Sequence, residues 1–159
     1  MNEMTLYQGI RGTGISSSDI DPAKICTETL AVTILALLGL TMIAAIWPFE
    51  HLPRTMPAKR VTELALSGSF AAVAEELFFR GWLQPLFRKK MGPAAAVTAV
   101  NLIFAPLHLI AVPHIISLSV FFPGMIMGWM KERYGSIWPS VFFHFAGNIW
   151  AIWYFPSSF

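Results

Sequence analysis

Between Met91 and Met130 the chain holds no Asp, Glu, Lys or Arg, and none occurs again from Tyr134 to its end. A run of this length exceeds the buried helix of a small domain and suits two crossings of a bilayer, each of which takes about 20 apolar residues. Composition points the same way. Of the 159 residues 55% are hydrophobic and 13% charged, with a mean hydropathy of +0.59, whereas soluble domains carry about 25% charged residues. A net charge of +2 without a basic stripe of interleaved aromatics argues against a nucleic-acid partner. The single Cys26 permits neither an internal disulfide nor a CxxC metal or redox motif.

The expected architecture is an all-α polytopic membrane bundle of about five transmembrane helices. Residues 1–28 read as a polar N-terminal leader without the apolar run of a cleaved signal, and residues 29–159 as the membrane-embedded domain. Asp21-Pro22 has the form of an N-cap followed by proline at the first helical position. The spacing predicts helices over Thr29–Trp47, Val61–Phe87, Pro93–Val112, His114–Met130 and Ile137–Phe155. A kink is expected at Pro123-Gly124 and a short polar turn over Lys131–Gly135. Arg11, Lys24, Arg88, Lys89, Lys90, Lys131 and Arg133 then share one side, against Arg54, Lys59 and Arg60 on the other. That bias favours a cytoplasmic N-terminus. Trp47, Trp82, Trp138, Trp150, Trp153 and Tyr154 fit interfacial belts, and His51 and His114 read as interfacial residues at span ends.

Against this background several polar side chains fall inside the spans: Glu75, Glu76 and Arg80 in the second, His108 in the third, His144 and Asn148 in the fifth. Each costs about 2.5–3.5 kcal/mol on insertion scales, so such residues face a protein interior or a watered cavity. Glu76 and Arg80 are i,i+4 neighbours in the favourable acid-first order and read as a structural salt bridge. Glu75 lies about 100° further round the helix, away from Arg80, and is left free for chemistry. Pro106 loosens the ladder near His108. Phe104 and His108 share a face, as do His144 and Asn148, with the small Ala146 and Gly147 allowing close approach. Asn101 reads as an interhelical hydrogen-bonder or as a partner supporting the site.

Glu75 to Arg80 fits EExxxR, Phe104 to His108 fits FxxxH, and His144 to Asn148 fits HxxxN. In this order on successive apolar helices, with Gly135-Ser136-Ile137-Trp138-Pro139-Ser140 before the last, they resemble the CPBP (Abi, CAAX-protease Rce1-like) family of intramembrane proteases. The resemblance runs from about Val61 to Trp150. It implies an intramembrane endopeptidase of glutamate type in which Glu75 and His108 activate a water while His144 and Asn148 hold the oxyanion. It also implies a membrane-associated protein or peptide substrate, with C-terminal sorting tails as one class, and a multi-pass place in a bacterial inner membrane. No cofactor is expected. Two alternatives stay open. One is a zinc enzyme with Glu75, His108 and His144 as ligands and water in the fourth position. The other is a non-catalytic immunity or scaffold protein on the same fold.

Overall fold

The computed structural model describes residues 21–46, 53–113 and 115–155; His51, His114, Trp47 and most of the leader lie outside them. The described residues form helices joined by short turns, with no strand among them. Helix α1 spans Pro22–Ala45, its first turn fixed by Asp21, whose side chain accepts from the Ala23 amide at 3.0 Å. It therefore begins seven residues before the expected apolar boundary at Thr29. Helix α2 spans Ala58–Glu76, passes without a break into a π-helical stretch over Leu77–Leu83, and ends as α3 over Gln84–Arg88. One continuous rod thus covers the expected second span. The π winding inside it was not foreseen.

Helix α4 spans Pro93–Ala111 with Pro106 inside it, and a 3-10 turn over Ile115–Val120 leads into α5, Phe121–Tyr134. The expected kink at Pro123-Gly124 does not occur there. Pro123 sits in the first turn of α5, where its missing N–H is no loss, and the change of winding falls earlier, in the 3-10 turn. Lys131–Tyr134 form the last turn of α5 rather than a loop. The chain then reverses at Gly135, whose φ of 66° is the left-handed conformation that ends helices. Helix α6, Trp138–Tyr154, follows at once.

Helix α6 packs against α1, α2 and α5, and α5 also packs against α4. The pairings give the directions. Arg80, Gln84 and Arg88 meet Gly124, Gly128 and Glu132 in equal steps of four, so the α2–α3 rod and α5 run parallel. Gly68 and Glu76 meet Asn148 and His144 in reverse order, so α2 and α6 are antiparallel. Gly124 and Gly128 oppose Asn101 and Val97 in the same reversed sense. Successive long helices therefore alternate in direction, as successive passes of a bundle do. Arg88–Glu132 and Arg133–Glu28, at 3.0 Å each, lie at one end. At the other end Arg54 caps α6 by donating to the Ala151 and Ile152 carbonyls at 3.0 Å.

Two helices, Pro22–Ala45 and Pro93–Ile110, are long and apolar enough to cross a membrane. Helix α1 leaves Leu35 and Met42 about 70% exposed. Helix α6 has 17 residues and α5 has 14, while the α2–α3 rod carries the charged set.

Close approach of α4 and α5 depends on Gly124 and Gly128, spaced as a small-xxx-small pair. A Cβ on Gly128 would stand 2.6 Å from Val97 Cγ1, and one on Gly124 would collide with Asn101 Oδ1. Gly124→Ala is expected to destabilise the protein by about 1–3 kcal/mol, as overpacking does. Gly39→Ala on α1, where the added carbon meets nothing, should be neutral or gain up to about 1 kcal/mol in helix propensity. Unfolding midpoints of the two variants in detergent check this; equal midpoints would contradict it.

Candidate active site

The centre of the bundle is built around Arg80, whose side chain is wholly buried. Its Nη1 donates to Glu76 Oε1 at 3.0 Å, and its Nη2 donates to Asn101 Oδ1 at 3.2 Å and to the Gly124 carbonyl at 3.0 Å. The guanidinium carbon lies 4.5 Å from the centroid of the Phe104 ring, within cation–π range. Three further elements, α2, α4 and α5, thus converge on one side chain of the π stretch. The expected Glu76–Arg80 pair is present, and Asn101 is the interhelical hydrogen-bonder its placement suggested.

Glu76 does more than balance Arg80. Its Oε1 also accepts from His144 Nδ1 at 3.0 Å. With Nδ1 committed to Glu76, His144 turns Nε2 toward Glu75, 3.8 Å from its Oε2. His108 is fixed by similar means. Its Nδ1 lies 3.0 Å from the Phe104 carbonyl, an oxygen that can only accept, so Nδ1 carries a proton, and in the neutral ring Nε2 is the nitrogen with the lone pair. That Nε2 stands 4.0 Å from Glu75 Oε2. The Phe104 ring packs edge-on against both imidazoles, with centroids 4.5 Å from His108 and 6.1 Å from His144.

Glu75 differs from its neighbour in exposure and in partners, although each keeps one buried Oε2 without a hydrogen bond. Its side chain is 34% exposed, against 0% for Glu76, and its Oε2 is a buried atom without a hydrogen-bond partner. Separations of 3.8 and 4.0 Å to two imidazole nitrogens are too long for direct hydrogen bonds, so the three groups are neighbours without being bonded to one another. Asn148 stands apart from this cluster in its bonding: its Nδ2 donates to the Gly68 carbonyl at 3.0 Å. One amide hydrogen remains. His108, His144 and Asn148 all line a cavity of about 710 Å³ whose other walls are almost wholly apolar, drawn from α1, α4, α5 and α6. Among the described residues no three His, Cys, Asp or Glu side chains are grouped so as to hold a metal ion.

Reading the sequence did not single out Gln84, Gly68 or Glu132. Gln84 is fully buried and donates from Nε2 to the Gly128 carbonyl at 3.0 Å and to Glu132 Oε1 at 2.9 Å. It extends the row of Glu76 and Arg80 by another four residues, which is the signal that could have found it.

A family model described as type II CAAX prenyl endopeptidase Rce1-like matches residues 57–150, more than half of the chain. No curated protein and no solved structure matches it. The chain belongs to the Rce1-like family, whose members are helical, membrane-embedded and protease-type.

Removing one member of a buried ion pair costs about 3–5 kcal/mol, so Arg80→Met is expected to lose at least that much stability. The double variant Arg80→Met with Glu76→Gln should recover part of the loss, because no unbalanced charge stays buried. A double-mutant cycle of unfolding midpoints measures the recovery, and a purely additive cycle would contradict the coupling.

Proposed function

We propose that this member of the family is an intramembrane endopeptidase of glutamate type, spanning the bilayer several times and acting on a membrane-associated protein or peptide. One observation supports the reading above the rest. A carboxylate oxygen without a hydrogen-bond partner faces two imidazole nitrogens across gaps of 3.8 and 4.0 Å, and both of those histidines line a largely apolar cavity.

In this mechanism a water sits between Glu75 Oε2 and His108 Nε2 and donates one hydrogen to each. As its oxygen attacks the scissile carbonyl carbon, one proton passes to this acceptor pair, and the C=O π electrons move onto the carbonyl oxygen. The remaining Asn148 amide hydrogen and His144 Nε2, when that ring carries both protons, donate to the oxyanion. Collapse of the tetrahedral intermediate breaks the C–N bond, and the proton taken from water goes to the leaving amine. The products are a carboxylic acid, which then loses its proton to become a carboxylate, and an amine. General acid–base help of this kind contributes about 10²–10⁴-fold, and an oxyanion donor about 2.7–4 kcal/mol. Glu76 keeps His144 in the orientation this needs, and Arg80 keeps Glu76.

The test is cleavage of a pool of membrane-spanning peptides by protein reconstituted in liposomes, with cut positions mapped by mass spectrometry. Glu75→Gln and His108→Ala are expected to lower kcat by about 10²–10⁴-fold while leaving the unfolding midpoint near that of the parent. Full activity in Glu75→Gln would sink the mechanism. The zinc alternative is separated by exhaustive chelation: activity that falls and returns with added zinc would replace the metal-free version. No cleavage of any peptide would favour the non-catalytic reading.

A further inference from the structure

His144, Gly147 and Asn148 follow one another at i, i+3 and i+4 on α6, so they share one helical face. All three border the cavity, together with His108. Gly147 therefore opens the wall of the cavity between the two residues assigned to the oxyanion. A Cβ built on Gly147 meets no atom within 4 Å, so the glycine is not there to let another helix approach. In this it differs from Gly124, Gly128 and Gly68, each of which is pressed against a neighbouring helix. A glycine inside a helix costs stability relative to alanine, and here packing returns nothing for that cost. What it leaves is space beside the reacting groups.

The space has a definite chemistry. Beyond the two histidines, the asparagine and the hydroxyl-bearing Ser117, Ser119 and Tyr154, its walls are mostly apolar side chains such as Leu40, Met127 and Phe143. A charged side chain placed there would lose its hydration without gaining a partner. A bulky uncharged one would gain by burial.

We propose that Gly147 is a specificity-determining residue: the gap it leaves receives a bulky apolar side chain of the substrate residue next to the scissile bond. This rests on the protease reading, and it adds a side-chain preference and the residue that sets it. Substrates with Leu, Ile, Met or Phe at one position beside the cut are favoured, and Asp or Lys at that position blocks cleavage.

The test uses the same peptide pool, varied at the two residues flanking each cut, with Gly147→Ala, Gly147→Val and Gly147→Phe. Gly147→Ala is expected to melt no lower than the parent, since the added methyl meets nothing and helix propensity improves. Along the series, kcat/KM for bulky apolar residues should fall by about tenfold or more per step in size, the scale set by pocket contacts. Peptides with Gly or Ala at that position should be cut within about threefold of the parent rate. An unchanged side-chain profile in folded Gly147→Phe protein would overturn the proposal.

A binding measurement keeps the question separate from turnover. Equilibrium dialysis of the pool against Glu75→Gln protein should retain peptides with bulky apolar residues, and adding Gly147→Phe should release them. Retention unaffected by Gly147→Phe would overturn the pocket even where cleavage is seen. Release by Gly147→Phe in a protein that cuts nothing would uphold the pocket and sink the protease reading.

Discussion

A guanidinium that keeps its charge sits with no exposure to solvent, and the rest of the structure is arranged so that this is tolerable. Desolvating such a group costs several kcal/mol, which only close partners with good geometry offset. Arg80 finds them on other elements: a carboxylate at the end of α2, an amide oxygen and an aromatic face on α4, and a bare carbonyl on α5. Each partner has to be at the right height along its own helix. The cation therefore fixes the relative positions of α2, α4 and α5 more strictly than apolar packing between them would. Through Glu76 the constraint reaches α6 as well, because the same carboxylate oxygen takes the hydrogen bond of His144.

Two adjacent glutamates thereby acquire opposite tasks. Glu76 has an interior position, two donors on one oxygen and no freedom. Glu75 has partial exposure and two imidazoles just out of hydrogen-bond reach. Nothing in their covalent chemistry separates them. A turn of about 100° between consecutive residues sends one into the cation and the other toward His108 and His144.

Much of this was legible in the sequence because membrane burial makes polar residues expensive. Glu75, Glu76, Arg80, His108, His144 and Asn148 stand out against apolar runs, and the structure brings the first five together within a few ångströms. The i,i+4 pairing of Glu76 with Arg80 followed from helix geometry alone. Asn148 was placed on the face of His144 correctly, but its bond to the Gly68 carbonyl was not visible, since a backbone oxygen leaves no mark in a sequence. The clamp of Glu28 by Arg133 and Tyr134 was hidden for another reason. It joins residues over a hundred positions apart that look like ordinary solvated charges. Pro123 misled, because proline signals a break in the interior of a helix and a welcome start in its first turn.

The π stretch over Leu77–Leu83 carries a further meaning. In an ordinary α-helix, residues four apart drift by about 40° at each step, so Arg80, Gln84 and Arg88 would fan away from a single neighbour. Looser i→i+5 winding takes back part of that drift, and the three side chains meet Gly124, Gly128 and Glu132 in register. The helix behaves like a rack whose tooth spacing has been cut to match a second rack lying alongside it. The length of the segment is accordingly counted in whole teeth, and a residue gained or lost there would leave one rack a notch out of step with the other.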